Sequence, residues 1–461
     1  MNPNPDSGTS RRDFLKTTGR IAAASALASV TIPYVHAAEN NTIQIALIGC
    51  GGRGGGAANN ALSVSPEHGP TKLVALADVF QSHLDTAHEA LKNAKGDKVD
   101  VPPERRFLGF DAYKKAMDCL RPGDVVIFTT PLVFRWVHFT YAIQKGLNVF
   151  MEKPLTADGP CSRRMLKLAE EAAAKNLKVG VGLMSRHSRP LQELKKRIED
   201  GQLGEVNLLR GYRMASGPLA SAFSEKWPGN PSELLWQISR FHSFIFLSGG
   251  CFNDFYIHHI DHLCWMKGAW PVKAQAIGGR HYRYNYVDQN FDSYSVEYTF
   301  ADGAKLYMDG RCMNGANPAY ASYAQGSKGM AIVAKNGDCG TPSSIYSSQA
   351  PQRDKLLWTS KDLPGEEDPY VNEWNDLLEA IRNDKPYSEV KYGVYASLTS
   401  SLGRKAAHTA QEITLESLLN STQEYAPDVD KLTMESPSPL PSGPDGKYPI
   451  PQPGILTDRE Y

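Results

Sequence analysis

Short apolar runs alternate with longer amphipathic stretches over residues 42–154. The apolar runs lie at residues 43–48, 72–77, 124–129 and 148–152, and a group of glycines follows the first of them. Such runs are typical of strands buried on both faces of a parallel sheet, and the stretches between them have the periodicity of helices. The pattern therefore predicts a doubly wound α/β domain over residues 42–154.

The pattern changes after residue 154, where β-type segments become the most common kind. These segments are residues 205–214, 272–282, 294–300, 305–311 and 330–334. Residues 301–303, Ala-Asp-Gly, lie between two of them and are a signal for a tight hairpin. We therefore expect a second, α+β domain over residues 155–421, with a largely antiparallel open sheet. Residues 422–461 include a proline-rich stretch without periodicity, which predicts an extended tail.

The glycine-rich turn carries the first candidate chemistry. Residues 49–54, GCGGRG, fit the pattern G-x-G-x-x-G between a predicted strand and a predicted helix. Glycines permit a tight turn and a close backbone approach to a pyrophosphate, and the helix N-terminus adds positive potential. The motif predicts a Rossmann domain, and the cofactor contacts predicted in the turn are Gly49, Gly51, Gly52, Arg53 and Gly54.

Asp78 closes the next strand. A carboxylate there would bind the adenosine ribose and repel a 2′-phosphate, which favours NAD over NADP. The alternative interpretation is a glycine-rich turn followed by a helix-capping aspartate.

The tripeptide Glu152-Lys153-Pro154 ends the last strand predicted for this domain, where open α/β sheets bind ligands. Proline favours an extended Lys153, and the lysine ammonium could stabilise alkoxide character on an alcohol oxygen as hydride departs. A surface lysine at a strand end is the alternative.

Asp254, His258 and Asp261 are four and three residues apart, so on a helix they share one stripe. A histidine flanked by carboxylates is suited to accept a proton near neutral pH. His259 and His262 make a metal site conceivable, but neither Cys nor Glu stands at zinc spacing beside them, and we predict no metal.

Charge and cysteine usage exclude several classes of function. Lys and Arg total 50, as do Asp and Glu, so no net charge attracts nucleic acid or an anionic membrane. The seven cysteines include no CxxC pair, which argues against a zinc site and a disulfide framework.

The first residues read as an export signal. Residues 10–16, SRRDFLK, precede a short apolar run at 21–30 and a small-residue cleavage site at 35–37. This resembles a twin-arginine signal peptide over residues 1–38, which would be recognised by the twin-arginine translocation machinery and lead to the periplasm. The run is shorter than the roughly 20 apolar residues of a membrane span. A tail with two chance arginines is the alternative.

The motifs together resemble the glucose–fructose oxidoreductase/inositol dehydrogenase (Gfo/Idh/MocA) family over roughly residues 42–419. Beyond the motifs above, the resemblance rests on Thr130-Pro131, Arg186-His187, Gly201-x-x-Gly204, Gly249-Gly250 and Gly403-Arg404. It implies an NAD-binding Rossmann domain, an open-sheet second domain that forms a homodimer or homotetramer, and a site between the domains.

The resemblance also implies roles for single residues. Lys153 would polarise the substrate oxygen, His258 would be the general base, and Asp254 would orient or contact substrate. Further cofactor contacts are expected at Thr130, Pro131, Arg135, Glu152 and Lys153. Arg135 is a departure, because many members have histidine at that position.

A second departure is an apparent insertion at residues 222–247, which adds aromatic residues and arginine. These suit stacking and bidentate contact with an oxidised or acidic sugar, and they suit a packed loop equally well. The expected substrate contacts are Arg186, His187, Trp236, Arg240, Asp254 and His258.

The leading hypothesis is an exported oxidoreductase that moves hydride to or from a secondary alcohol of a sugar, sugar acid or cyclitol. An NAD-dependent glycosidase or lyase acting through a transient 3-keto sugar is one alternative, and a non-catalytic sugar-binding protein is another. Because twin-arginine substrates cross the membrane folded and the exterior offers little free nucleotide, we expect the cofactor to be tightly held.

Overall fold

The computed structural model describes residues 41–281, 285–339, 342–363 and 368–461. The predicted signal peptide at residues 1–38 lies outside these described residues. Within them, none of the helices has both the length and the apolar character that a membrane span requires.

Six parallel strands form the first sheet, in the order β3-β2-β1-β4-β5-β6. The strands are β1 (Ile43–Ile48), β2 (Thr71–Asp78), β3 (Arg106–Leu108), β4 (Val125–Phe128), β5 (Asn148–Met151) and β6 (Val179–Val181). The helices of this region are α1 (Gly52–Ala61), α2 (Gln81–Lys95), α3 (Ala112–Met117), α4 (Arg135–Lys145) and α5 (Gly159–Ala174). The strand order reverses between β1 and β4, and ligands bind at such a point in open α/β sheets.

The apolar runs are buried on both faces, as the sequence predicts. Along β1, Ile45 and Leu47 belong to one core cluster while Ala46 and Ile48 belong to another on the opposite face. Alternate side chains therefore contribute to two cores.

The first domain extends beyond its predicted limit at residue 154. The strand β6 pairs in parallel with β5 and completes the sheet. A helix near the other end of the chain also packs on it, since Trp374 is fully buried and stacks on Phe150 with ring centroids 4.5 Å apart. A boundary at 154 separates segments that share one core.

A nine-stranded sheet forms the second domain, in the order β14-β13-β12-β11-β7-β10-β9-β8-β15. Its strands are β7 (Val206–Ala215), β8 (Lys273–Gly279), β9 (Ser293–Thr299), β10 (Lys305–Cys312), β11 (Ala319–Gly326), β12 (Gly329–Lys335), β13 (Ser344–Tyr346), β14 (Leu356–Thr359) and β15 (Ile413–Thr414). Strands β7 and β10 pair in parallel, and the other neighbours pair antiparallel. The predicted fold class is confirmed, and the predicted hairpin at 301–303 joins β9 to β10.

Helices cover one face of this sheet, where α9 and α11 pack on the strands. The helices of the region are α6 (Arg189–Glu199), α7 (Glu233–Ser239), α8 (Ile245–Ser248), α9 (Gly250–Lys267), α10 (Pro369–Arg382), α11 (Val390–Thr409) and α12 (Leu415–Asn420). Along β9 and β10, buried residues alternate with half-buried ones.

The tail at residues 422–461 contains neither a strand nor an α-helix, and it is packed against the rest of the molecule. Tyr448 is buried in an apolar cluster with Trp236 of α7 and Phe134 of the first domain. Farther along, Glu460 is fully buried and pairs with the buried Arg404, with Nε and Oε2 3.1 Å apart. The tail therefore contributes to the cores of both regions.

Candidate active site

The glycine turn leaves space for a ligand on one side only. Gly49 has a φ of +92°, and a Cβ there would lie 2.8 Å from the backbone nitrogen of Thr130. A Cβ on Gly54 would lie 2.0 Å from the carbonyl oxygen of Gly49, so neither position accepts a side chain. A Cβ on Gly51 or Gly52 would meet nothing within 4 Å. The open backbone at the N-terminus of α1 therefore fits a pyrophosphate.

Asp78 holds the same turn from the end of β2. Its Oδ2 accepts a 2.6 Å hydrogen bond from the Cys50 amide, and its Oδ1 accepts a 2.9 Å bond from the Phe80 amide. His83 Nδ1 lies 3.3 Å from Oδ1, and the hydrogen bond to Asp78 raises the pKa of His83. The carboxylate lines the cleft with lone pairs to spare, so its predicted contact with a ribose fits the geometry.

A cleft of about 120 Å³ opens beside this turn. Thr130 and Pro131 line it, as expected for cofactor contacts. Ile238 and Phe241, both from the apparent insertion, also line it. The inserted segment thus forms part of the wall of the predicted dinucleotide site.

Arg53 and Glu152, both predicted cofactor contacts, pair with each other, with Nε and Oε1 2.6 Å apart. Arg53 also lies 3.6 Å from the buried Glu373 and over the ring of Tyr370, at 4.8 Å. Burial, followed by the charge of Glu152, raises the pKa of Glu373. The helix α10 therefore supplies two residues to this site. Sequence reasoning missed them because they are distant along the chain and belong to no motif.

Arg135 shapes the turn that follows β4. It is buried, and its guanidinium donates to the carbonyl oxygens of Phe128 at 2.8 Å and Thr130 at 3.0 Å. Burial lowers the pKa of Arg135 to about 10. The structure therefore places this side chain against the backbone of Thr130-Pro131, while its own contact with the cofactor stays a prediction.

Lys153 and Asp254, both predicted catalytic residues, are in contact. Lys153 Nζ donates a 2.8 Å hydrogen bond to the carbonyl oxygen of Asp254 and lies 3.5 Å from its Oδ1. The helix α9 starts at Gly249-Gly250, where both residues have a φ of +73°. This start places Asp254 in the second turn, opposite the end of β5.

A residue outside the predicted set completes this contact. His242 Nε2 lies 3.2 Å from Asp254 Oδ2, and its Nδ1 is 2.8 Å from Ser221 Oγ. Burial alone would raise the pKa of Asp254, but Lys153 and His242 outweigh burial and hold it well below its usual range. Asp254 is therefore a buried carboxylate with a donor on each side. His242 lies in the apparent insertion, which the family pattern does not cover.

His258 follows one helical turn later and is also buried. Its Nδ1 has no hydrogen-bond partner among the described residues. Burial lowers the pKa of His258 to about 4, so the imidazole is neutral at pH 7. A neutral imidazole with an unpartnered nitrogen can accept a proton.

The third residue of the stripe has a different role. Asp261 receives a bidentate contact from Arg186, at 2.8 Å and 2.9 Å. His187 lies between two carboxylates, with Nδ1 2.6 Å from Asp376 and Nε2 3.1 Å from Glu389. The predicted substrate contacts of Arg186 and His187 stay predictions, and in the structure both side chains have ion-pair partners within the protein.

Trp236 and Arg240 are placed differently from their inserted neighbours. Trp236 is buried, with ring centroids 5.6 Å from Phe244 and 6.3 Å from Tyr448. Arg240 is exposed. Their contacts with substrate stay predictions, and packing accounts for the position of Trp236. In the described ranges, no group of three metal-ligating side chains could hold a metal ion.

Part of the chain matches a known family model, and several known proteins are similar to it in sequence. Residues 191–332 match the family model described as the GFO/IDH/MocA C-terminal domain. Inositol 2-dehydrogenase 4 of Saccharopolyspora erythraea is 28% identical over 246 residues, which are 53% of this chain and 59% of the relative. Inositol 2-dehydrogenase of Rhizobium meliloti is 27% identical over 235 residues, 51% of this chain and 58% of the relative. The chain thus spans less than two thirds of these relatives.

Solved structures share the fold. The aldose–aldose oxidoreductase of Caulobacter crescentus, complexed with glycerol, has a TM-score of 0.60 at 16% identity, covering 81% of this chain and 99% of that chain. Levoglucosan dehydrogenase, in complex with NADH and levoglucosan, has a TM-score of 0.60 at 18% identity with the same coverage, 81% and 99%. These matches show that the chain shares the fold of the two oxidoreductases.

Proposed function

We propose that this protein transfers hydride between NAD and a secondary alcohol of a sugar, sugar acid or cyclitol. The observation that carries the proposal is the contact of Lys153 with Asp254, one helical turn before His258, while the adjacent Glu152 pairs with Arg53 of a glycine turn that fits a dinucleotide. The names of the relatives, inositol 2-dehydrogenases, support the alcohol chemistry. The NADH complex of levoglucosan dehydrogenase supports a nicotinamide cofactor.

The residues that would hold the dinucleotide are Gly51, Gly52 and Asp78, with Thr130 and Pro131 along the cleft. When bound, a nicotinamide ring supplies the hydride acceptor or donor. The protein supplies binding, orientation and control of the proton.

The roles of the polar groups follow from their charges. Lys153 can donate a hydrogen bond to the alcohol oxygen and stabilise the negative charge that develops there. Asp254 stays ionised between Lys153 and His242, so it can orient the lysine and accept a substrate hydroxyl. His258, neutral at pH 7, can accept the alcohol proton.

The proposal includes export to the periplasm by the twin-arginine pathway and a tightly held cofactor. The signal-like residues 10–16 support export. Ile238 and Phe241 support retention, since apolar side chains of an inserted segment line the cleft.

The direct test is an assay of the purified protein with a panel of sugars, sugar acids and cyclitols. Nicotinamide absorbance reports hydride transfer, and mass spectrometry of the products separates net oxidation from glycoside cleavage. Absence of nicotinamide redox change with every class of alcohol would refute the proposal.

Two variants test the mechanism. We expect Lys153→Ala and His258→Ala to keep the fold and the bound nucleotide but to lower kcat by about 100-fold or more, the scale of a positioned acid–base group. Lys145→Ala, at the half-buried C-terminal end of α4, is the matched control. If either variant turned over substrate at the wild-type rate, that residue would have no part in the reaction.

A further inference from the structure

Beyond the residues discussed so far, three polar side chains lie together on the second sheet. Arg213 on β7 is paired in register with Tyr320 on β11. Its guanidinium carbon lies 3.8 Å from the centre of the Tyr320 ring, and its Nη1 lies 4.0 Å from Oδ2 of Asp338, which follows β12. We refer to Arg213, Tyr320 and Asp338 as the sheet polar cluster.

The sheet polar cluster adjoins the helix that carries Asp254 and His258. His259 Nδ1 lies 3.6 Å from Asp338 Oδ1, and the rings of His259 and Tyr320 have centroids 4.8 Å apart. The charged groups that act on His258 are Asp338, Lys153, Arg213 and Glu152. Asp338, Arg213 and Lys153 are therefore all close enough to His258 for their charges to act on it.

The cluster has hydrogen-bonding capacity that the protein does not use. Arg213 Nη1, Asp338 Oδ1 and the Tyr320 hydroxyl are buried, and none has a hydrogen-bond partner of normal geometry in the described part of the chain. After burial, the charge of Asp338 is the next cause that raises the pKa of Tyr320. The neighbouring His258 Nδ1 is likewise unpartnered. Most buried polar atoms in folded proteins are paired, so such a group across separate elements indicates a missing ligand.

The donors and acceptors specify that ligand. We infer that the sheet polar cluster binds neighbouring hydroxyl groups of an uncharged polyol ring, an inference that rests on the proposed function and narrows its substrate class. Asp338 accepts from one hydroxyl, Arg213 donates to the oxygen of the next, and the Tyr320 hydroxyl can do either. Asp338 would repel a carboxylate or phosphate that Arg213 attracts, and Arg213 would repel an ammonium that Asp338 attracts, so a neutral group that both donates and accepts fits the pair.

The charges near His258 also favour an uncharged ligand. Lys153 and Arg213 carry positive charge, Asp254 and Asp338 carry negative charge, and Glu152 is paired with Arg53. With the cations balanced by anions, no net potential favours a sugar acid over a neutral sugar.

The test measures binding separately from turnover. Isothermal titration calorimetry on the NADH-loaded protein would use myo-inositol, D-glucose and D-glucuronate as probes. We expect at least one neutral probe to bind about tenfold more tightly than glucuronate. We also expect Asp338→Asn and Tyr320→Phe to weaken that binding about tenfold, as for loss of a buried hydrogen-bond partner. Tyr323→Phe, on the same strand but packed on Tyr212, should bind like the wild type.

The outcomes separate the subsite from the proposed function. If polyol binding depends on Asp338 and Tyr320 but no turnover occurs, the proposed subsite is supported and the proposed oxidoreductase activity is refuted. If the protein turns over substrate and both variants bind the polyol with unchanged affinity, the proposed subsite is refuted and the proposed oxidoreductase activity still holds. Tighter binding of glucuronate by the wild type, or no binding of either neutral probe, would overturn the inference.

Discussion

Asp78 combines two functions in one carboxylate. It fixes the glycine turn by accepting from the Cys50 and Phe80 amides, and it lines the cleft where a ribose would bind. Its negative charge there would repel a 2′-phosphate, so one side chain would set both the shape of the turn and the choice of nucleotide.

We therefore expect the wild-type protein to retain NAD rather than NADP. In Asp78→Asn the side chain keeps its size but loses its charge, and the NAD:NADP ratio in the isolated protein should fall about tenfold, the scale of a lost specificity contact. Mass spectrometry of the nucleotide released on denaturation measures the ratio, with the exposed Asp85→Asn as control. Equal amounts of NAD and NADP in the wild type would contradict the assignment.

His242 acts through Asp254, which makes it a positioning residue. We expect His242→Ala to lower kcat about tenfold and to raise the pKa of Asp254, because one contact that lowers that pKa is lost. Infrared difference spectra of the carboxylate during an acid titration measure that pKa. Ser221→Ala, which removes the partner of the opposite ring nitrogen, should raise it less. A reduced kcat with an unchanged pKa of Asp254 would mean that His242 serves packing alone.

At the residue scale, spacing along one helix predicted the candidate site in part. Asp254 contacts Lys153 and the charge of Lys153 acts on His258, because two residues four apart share a helix face and the strand end fixes the lysine. The same stripe places Asp261 against Arg186 instead. Sequence spacing could not predict the contact between His242 and Asp254, since it depends on how an inserted segment folds.

At the scale of elements, His187 joins three parts of the chain. It lies between Asp376 of α10 and Glu389 at the start of α11, and follows β6 in sequence. Burial lowers the pKa of His187, but Glu389 and Asp376 outweigh it and raise the pKa from 6.5 to about 10.

This predicts a pH-dependent stability with a definite sign. Because the folded pKa is raised, the stabilisation is complete below pH 6.5 and is lost as the pH rises towards 10. His187→Gln should be roughly 3 kcal/mol less stable at pH 7, with a flatter decline from pH 7 to 10. Urea denaturation at a series of pH values measures both effects.

The matched control is His88→Gln, since the pKa of His88 is lowered mainly by burial rather than raised. This variant should leave the decline from pH 7 to 10 unchanged. A decline in His187→Gln as steep as that of the wild type would assign the pH dependence to other groups.

Element patterns predicted most strands correctly and the domain limits less well. Apolar runs locate β1 and β4 because strands covered on both faces leave that signature. Periodicity also shows that α10 has an apolar face. It cannot show that this face packs on Phe150, far away in sequence, because a pattern identifies a buried face and not its partner.

At the scale of the molecule, the insertion and the tail pack together beside the predicted dinucleotide site. Phe134, Ile238 and Phe241 line the cleft, and Trp236 and Tyr448 belong to the same apolar cluster. Assembly through the second sheet stays a prediction, as does export.

We expect the purified protein to carry nicotinamide nucleotide that dialysis does not remove. Heat denaturation of the desalted protein and assay of the supernatant for NAD(H) test this. Ile238→Ala with Phe241→Ala should lose nucleotide at least about tenfold faster, because apolar contact with the cleft is removed.

The control is Ile277→Ala, since Ile277 is 77% exposed on the second sheet. An empty supernatant from the wild type, with activity restored by added NAD at a loose affinity, would refute retention. Equal rates of nucleotide loss in the double variant and the wild type would show that Ile238 and Phe241 do not help to retain the nucleotide.

The ion pair between Arg404 and Glu460 limits when the chain can finish folding during its synthesis. Arg404 is buried in α11, where it also donates to the carbonyl oxygens of Gly249 and Ala157. Until Glu460 has emerged from the ribosome, that guanidinium has no carboxylate, and an unpaired buried charge is strongly destabilising. The native interior is therefore completed only after residue 460 has been synthesised, because Arg404 cannot be buried with its native partner before then.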